Sequence, residues 1–128
     1  MGMYTEIYVN ADLIESTPDS VINILKAICD GDYQSKQLEG KPDRWGVLFN
    51  NGSYYTPLTC VAKLTFDEIS KQYSIIGKGD IKNYSSDIEA FFEFISPWCE
   101  NDFIGYHRYE EDREPTLVFS SCDVEIKR

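Results

Sequence analysis

The stretch YTEIYVNADLIESTPDSVINILKAICDG, residues 4–31, decides the fold class because its apolar periodicity changes halfway along. In the first half, the apolar residues of one face occupy every second position: Ile7, Val9, Ala11 and Leu13. That period of two indicates a half-buried strand. In the second half, the spacing becomes that of one helical face: Val21, Ile24, Leu25 and Ile28. A strand followed by an amphipathic helix predicts a helix packed on a sheet.

The ends of this predicted helix carry the residue types that begin and stop helices. Thr17 can cap the first turn, Pro18 suits the first helical position, and Asp19 favours the positive end of the helix dipole. Gly31 is the residue type that often follows the last helical turn. The sequence therefore predicts a first helix that begins at Pro18 and stops at Gly31.

Five apolar segments further along the chain predict strands. WGVLF (45–49), LTCVAKLTF (58–66) and KQYSIIGK (71–78) come first, and the last two are typical of an antiparallel hairpin. FIGYHRYE (103–110) and PTLVFSSCDVEI (115–126) follow, joined by an acidic tip.

The segment between these groups, NYSSDIEAFFEFISPWC (83–99), predicts the second helix. Ser86 and Glu89 form an S-x-x-E capping box, and Pro97 ends the helix or forms its last irregular turn. The buried face is predicted to consist of Ile88, Phe91, Phe92 and Ile95.

The predicted order of elements is β-α-β-β-β-α-β-β. It favours an α+β fold, with a single mostly antiparallel sheet and two helices on one face. The 128 residues suit one domain, 1–128, in which Met1-Gly2 before Met3 is typical of an expression-vector remnant.

The charge balance bounds the classes of partner. Twelve basic and 22 acidic residues give a net charge of -10, which repels nucleic-acid phosphates and anionic lipids. We therefore expect no direct nucleic-acid binding and no membrane association, whereas a basic protein would be attracted. The alternative is that the acidity only maintains solubility.

The cysteines indicate compartment more than chemistry. Cys29, Cys60, Cys99 and Cys122 form no CxxC pair, and no secretory apolar segment precedes them. The sequence therefore predicts free thiols in a cytoplasmic protein, with no metal and no cofactor.

His107, the one histidine of the chain, is the first candidate for chemistry. It could act as a general base or a ligand, with Cys122 on the returning strand as a candidate neighbour, or it could be an ordinary strand residue. One face of its predicted strand would carry Phe103, Gly105, His107 and Tyr109. The other face would carry Ile104, Tyr106 and Arg108.

The acidic run around Arg113 is the second candidate. Its acids are Glu110, Glu111, Asp112 and Glu114. They could do acid–base work or hold a cation, but a calcium loop needs alternating ligands and a glycine bend that the run lacks. A charged hairpin tip that blunts edge pairing is the structural alternative. The functional interpretation is an acidic patch offered to a basic partner.

Tyrosine is abundant, with nine residues. Tyr4 and Tyr8 would lie on the non-core face of the first strand, and Tyr106 could join them. Tyrosine brings contact area and a hydroxyl to interfaces, so this face could bind a partner or pack a homodimer. The alternative is that these tyrosines only cover a half-exposed sheet.

An MYTEIYV-like first strand, TPDSVINILKAIC and the region KNY…IEAFFEFI…GYHRYEED.EPTL together resemble a group of small uncharacterised bacterial and prophage proteins. The resemblance covers most of the chain and implies a small intracellular protein, without an activity or catalytic residues to carry over. By analogy of class, small acidic phage proteins often bind host proteins, as inhibitors or as decoys that imitate nucleic-acid charge.

Three hypotheses follow. The first is a non-enzymatic module that binds a basic protein, such as a host factor. The second is a small-ligand binder or enzyme that uses a pocket around Tyr106, His107 and Arg108. The third is a structural homodimer through the tyrosine-bearing face. The candidate binding residues are Tyr106, His107, Arg108, Tyr109, Glu110, Glu111, Asp112 and Glu114.

Overall fold

The computed structural model describes residues 4–32, 34–49, 61–81 and 86–120. Over these residues the chain forms five strands: β1 (Thr5–Asp12), β2 (Val61–Asp67), β3 (Gln72–Ile81), β4 (Phe103–Tyr109) and β5 (Thr116–Phe119). It also forms two α-helices, α1 (Asp19–Asp30) and α2 (Asp87–Ile95), and three short 3-10 segments: Lys36–Leu38, Asp43–Val47 and Ser96–Trp98.

The strands form one sheet in the order β2-β3-β1-β4-β5, and every neighbouring pair is antiparallel. The first strand of the chain is therefore the central strand, and β2 and β5 are the edges. Each helix lies in a connection that passes over one strand, from β1 to β2 and from β3 to β4. The predicted α+β class, with one antiparallel sheet and two helices, is confirmed.

The core lies on one face of the sheet, where both helices pack. Along β1, Ile7 and Val9 have no exposed surface, and Tyr8 between them is half-buried. The apolar faces predicted for the two helices point into one cluster with these strand residues. Leu25 and Ile28 of α1 and Phe91 and Ile95 of α2 belong to this cluster. Burial of each such side chain stabilises the fold by about 1.5–3 kcal/mol, which is sufficient reason for both helices to lie on this face.

The C-terminus of α1 agrees with the sequence, but neither helix N-terminus does. α1 begins at Asp19 with Pro18 as its N-cap, and Thr17 does not cap it, because the Thr17 hydroxyl donates to the Ile14 carbonyl oxygen at 2.6 Å. Gly31 has a φ of 70° and closes α1 by donating to the Ala27 and Ile28 carbonyls. At α2 the capping box is not formed, since Ser86 has a φ of 58° and its side chain makes no capping bond. A left-handed residue cannot place its hydroxyl over the first turn as an extended N-cap residue does.

The predicted strand WGVLF is wrong, because this segment is a 3-10 turn over Asp43–Val47. Trp45, Leu48 and Phe49 are buried at helical spacing, and short apolar runs do not separate strands from buried turns. The Trp45 indole N–H donates to the Asp87 carbonyl oxygen at 3.0 Å, which ties the turn to α2. Phe49 fills the space above Gly77, where an added Cβ would lie 2.6 Å from its ring.

A bulge near the start of β4 changes the predicted face alternation. The pairing with β5 shifts between Phe103 and Gly105, so Ile104 is fully buried in the core and Phe103 pairs with Phe119. Phe103 therefore does not share the face of His107. The predicted strands also continue further than β2 and β5, over residues 58–60 and 120–126. Of these residues, Ser120 follows β5, and all the others, including the candidate neighbour Cys122, lie outside the described residues.

Candidate functional site

Strand register divides the predicted site residues between the two faces of the sheet. On β4, Tyr106 is paired with Tyr8 and Arg108 with Glu6, and these residues lie on the face opposite the helices, which we call the open face. His107 is paired with the core residue Ile7. The imidazole therefore does not converge with Tyr106 and Arg108, as a shared pocket would require.

His107 packs at the margin of the core. It is half-buried, and its ring centroid lies 6.1 Å from that of Phe92 on α2, with the ring planes tilted by 35°. Within the described ranges, no cluster of three or more histidine, cysteine, aspartate or glutamate side chains could hold a metal ion. The contacts of His107 are those of a strand residue packed under a helix.

The centre of the open face is a small polar and aromatic group. The Tyr8 and Tyr106 rings stack, with centroids 5.4 Å apart and planes at 29°. The Tyr106 hydroxyl donates to Glu6 Oε2 at 2.9 Å, and Lys78 Nζ lies 3.6 Å from the same oxygen. Desolvation, with the adjacent Glu6 carboxylate, raises the pKa of Tyr106 to about 12. The Tyr106 phenol therefore stays protonated at neutral pH and donates its hydrogen bond to Glu6.

Beside this group lie three large apolar side chains that the fold leaves exposed. Phe103, Leu117 and Phe119 have exposed fractions of 42%, 52% and 57%. Leu117 pairs with Tyr106, and Phe103 contacts Phe119 edge to face at 5.8 Å. We call Tyr8, Tyr106, Leu117, Phe103 and Phe119 the open-face strip.

The three apolar members of this strip were not among the residues predicted from the sequence as binding residues. The alternation in PTLVF already places Leu117 and Phe119 on one face of a strand, which was the available signal. Phe103 could not have been found in this way, because its position depends on the bulge.

The acidic run forms the tip between β4 and β5, and all its side chains are exposed. Glu110 has a structural role, since its carboxylate accepts from the Tyr4 N–H at 2.9 Å and its own N–H donates to the Tyr4 carbonyl oxygen. Arg108 Nη1 donates to the Asp112 carbonyl oxygen at 2.5 Å, which holds the turn. The carboxylates of Glu111, Asp112 and Glu114 therefore project from a fixed backbone.

Tyr109 connects the tip to the sheet. It is the last residue of β4, pairs with Thr5 and is 39% exposed. Its carbonyl oxygen accepts from the Asp112 N–H at 2.9 Å. Its position next to the acids, at the end of the strand, leaves it partly exposed to solvent.

A groove of about 570 Å³ lies elsewhere, between α1 and β2. It is lined by Lys26, Cys29, Asp30, Ala62, Lys63, Leu64 and Thr65, none of which belongs to β4. Burial, and then the neighbouring Asp30, raises the pKa of the Cys29 thiol to about 11. The thiol therefore stays protonated at neutral pH, which makes it a poor nucleophile.

No helix in the described part of the chain is long and apolar enough to cross a bilayer. Compared with protein-family models, curated proteins and solved structures, the chain matches none of them. Function is therefore inferred from the chemistry and geometry of the site itself.

Proposed function

We propose that this protein is a non-enzymatic binding module whose open-face strip and acidic tip together contact a basic protein. The observation that carries this proposal is the exposure of Phe103, Leu117 and Phe119 on one face of the β4–β5 hairpin, whose turn is the acidic tip. Large exposed apolar side chains that cluster on one face mark interaction surfaces more often than scattered ones do.

The two parts of the surface have different roles in binding. The rings of the strip bring contact area at low entropy cost, and the Tyr8 and Tyr106 rings are already held against each other. The carboxylates of Glu111, Asp112 and Glu114 attract a basic partner before contact and set its orientation. The strip therefore governs dissociation, and the tip governs association.

Two observations support binding over catalysis. The pKa of Cys29 lies well above neutral, and His107 packs on the core side, away from Tyr106 and Arg108. The resemblance to prophage proteins makes a host factor that handles nucleic acid the first class of partner to test, because such factors carry basic surfaces.

The experiment is affinity capture from host-cell lysate at low and at high salt, with bound proteins identified by mass spectrometry. We expect a basic protein in stoichiometric amount, with less captured at high salt. The test variant carries Glu111→Lys, Asp112→Lys and Glu114→Lys, which should reduce capture about tenfold or more. Glu110 is left unchanged because it holds Tyr4.

The matched control carries Glu15→Lys, Glu39→Lys and Glu93→Lys, which are exposed acids outside the tip. Both variants change the net charge from -10 to -4, since each replaces three acids with three bases. Equal loss of capture in both variants would show only a general charge effect and would overturn the role of the tip. Unchanged capture in both would remove the charge argument altogether.

Small-ligand binding is the second candidate, favoured by the groove between α1 and β2 instead of a pocket at His107. Lys26 and Lys63 could attract an anionic group there. A lysate molecule that stays bound and raises the melting temperature would support it if Lys63→Glu abolishes the gain and His107→Ala does not. If the lysate instead yields a bound protein, and Lys63→Glu does not change the amount captured, this result would count against small-ligand binding.

A further inference from the structure

β5 is an edge of the sheet, and one of its two sides has no neighbouring strand among the described residues. In any strand, alternate residues direct their backbone N–H and C=O groups to opposite sides. Part of the backbone of Thr116–Phe119 is therefore directed away from β4, where it can accept a further strand.

The two edges of the sheet differ in how they are protected. β2 carries the exposed Lys63 in mid-strand, and a lysine at that place discourages the addition of another strand. β5 reads Thr-Leu-Val-Phe, four residues of no charge, of which Thr, Val and Phe favour extended structure. Of the two edges, β5 is the one suited to pairing.

The side chains of β5 define what a new strand would meet. Leu117 and Phe119 are exposed on the open face, and Val118 is half-buried on the other. An added strand would place every second side chain beside Leu117 and Phe119, as cross-strand neighbours. Apolar residues at those alternate positions would extend the open-face strip.

Charge selects the kind of segment. Glu111, Asp112 and Glu114 immediately precede β5, so one end of an added strand would lie beside exposed carboxylates. A segment with lysine or arginine there gains attraction, whereas an acidic segment is repelled. A second copy of this chain would bring a net charge of -10 of its own, which opposes self-pairing.

We propose that β5 binds an extended, basic segment of the partner protein as a sixth strand of the sheet. The backbone of the segment pairs with Thr116–Phe119, and its alternate apolar side chains pack on Leu117 and Phe119. Pro115 and the length of β5 limit this ladder to four residues of the present chain. This inference depends on the proposed function, since it names how the same surface takes its partner.

The test uses a synthetic probe of about eight residues that alternates lysine with valine, capped at both ends, because strands of this length are common. Two isomers carry N-methyl groups, one on the valine amides and the other on the lysine amides. N-methylation removes the donors along one side of the peptide only, so one isomer should bind at least about tenfold more weakly than the other. Equal binding by both isomers overturns strand addition.

Amide hydrogen exchange on the intact protein locates the probe. We expect slower exchange in Thr116–Phe119 when the unmethylated peptide is added, and no change in Val61–Asp67 at the other edge. Protection at β2, or none at either edge, overturns the assignment to β5. A dimer by light scattering with β5 already protected before peptide is added would show that a second copy occupies the edge, and would overturn a basic partner.

The two proposals fail in different ways. If lysate capture depends on the tip but the peptide does not bind, the proposal of a basic partner stands and the proposal of strand addition is rejected. A glutamate–valine peptide serves as the charge control, and binding within about threefold of the lysine peptide would reject the basic segment. Because the peptides leave the protein unchanged, no outcome depends on whether a β5 variant folds.

Discussion

At the scale of single residues, Gly105 shows how one position sets the geometry of the candidate surface. It lies at the β4 bulge with a φ of 156°, and the Tyr8 carbonyl occupies the place where a side chain would begin. No other residue type fits there without strain. The bulge in turn places Ile104 in the core and leaves Phe103 to pack against Phe119.

We expect Gly105→Ala to lower the free energy of unfolding by about 2 kcal/mol or more, because it adds a backbone clash to a strained dihedral. The control is Gly40→Ala, also at positive φ (78°) but with no atom within 4 Å of the added carbon. It should cost about 1 kcal/mol. Urea unfolding of both variants checks the difference, and equal losses would contradict the account of the bulge.

The stability of the protein should depend on pH through the phenol of Tyr106. The folded-state pKa of its phenol is raised to about 12, by burial and then by Glu6, so the folded protein holds this proton more tightly than the unfolded chain does. Its contribution to stability is therefore complete below the unfolded value near pH 10 and is lost as the pH rises through the folded value. Between these limits, wild type should lose more stability than Tyr106→Phe, measured by urea unfolding at each pH.

A matched variant identifies the role of Glu6. Glu6→Gln removes the carboxylate that accepts from Tyr106, so the pKa of Tyr106 should fall toward its ordinary value. The ring carbon shifts of labelled tyrosine, followed by NMR, report this titration. An unchanged pKa in Glu6→Gln would mean that burial alone raises it.

At the scale of elements, periodicity predicted both helices, β1 and the β2–β3 hairpin, because each has a long amphipathic pattern. It failed at WGVLF, where Trp45, Leu48 and Phe49 are all buried and no alternation distinguishes strand from turn. It also failed at Ile104, because the register of a bulge depends on the partner strand; the local signal was Gly105, since a glycine inside a strand pattern often marks a bulge.

The same limit applies to the candidate surface. That Tyr106 and Arg108 share a face follows from alternation within one strand. Their pairing with Tyr8 and Glu6 depends on strand order and register, which a single sequence leaves open. The central contact, between Tyr106 and Glu6, joins residues 100 positions apart in the chain.

Substitution of one buried and one exposed aromatic side chain should distinguish an effect on stability from an effect on binding. Phe49 is fully buried above Gly77, so Phe49→Ala should destabilise the protein by about 3–5 kcal/mol. Phe119 is 57% exposed, so Phe119→Ala should cost about 1 kcal/mol or less while weakening partner capture. Denaturant unfolding measures the first effect and the lysate assay the second. A severe loss of stability in Phe119→Ala would place this residue in the core.

At the scale of the whole molecule, the net charge of -10 should reduce stability through self-repulsion. Raising the ionic strength from about 0.01 M to about 0.15 M shortens the screening length from about 30 Å to about 8 Å. We therefore expect the melting temperature to rise by a few degrees over this range, as measured by circular dichroism.

The variant with three lysines at the tip, Glu111→Lys, Asp112→Lys and Glu114→Lys, has a net charge of -4. Its gain in melting temperature with salt should be smaller than that of wild type, because less repulsion remains to be screened. An equal gain in both proteins would mean that salt acts through water and apolar surface instead of through charge.

The central place of β1 has a consequence for synthesis. Ile7 pairs with residue 79 on one side and with residue 107 on the other, so both neighbours are translated long after it. At about 5–20 residues per second, the nascent chain waits roughly 5–20 seconds for its second neighbour. Until then β1 lacks at least one of its two neighbours, and its alternating apolar side chains make it the kind of segment that chaperones hold. The order of translation thus makes the central strand of the finished protein the one that needs protection longest.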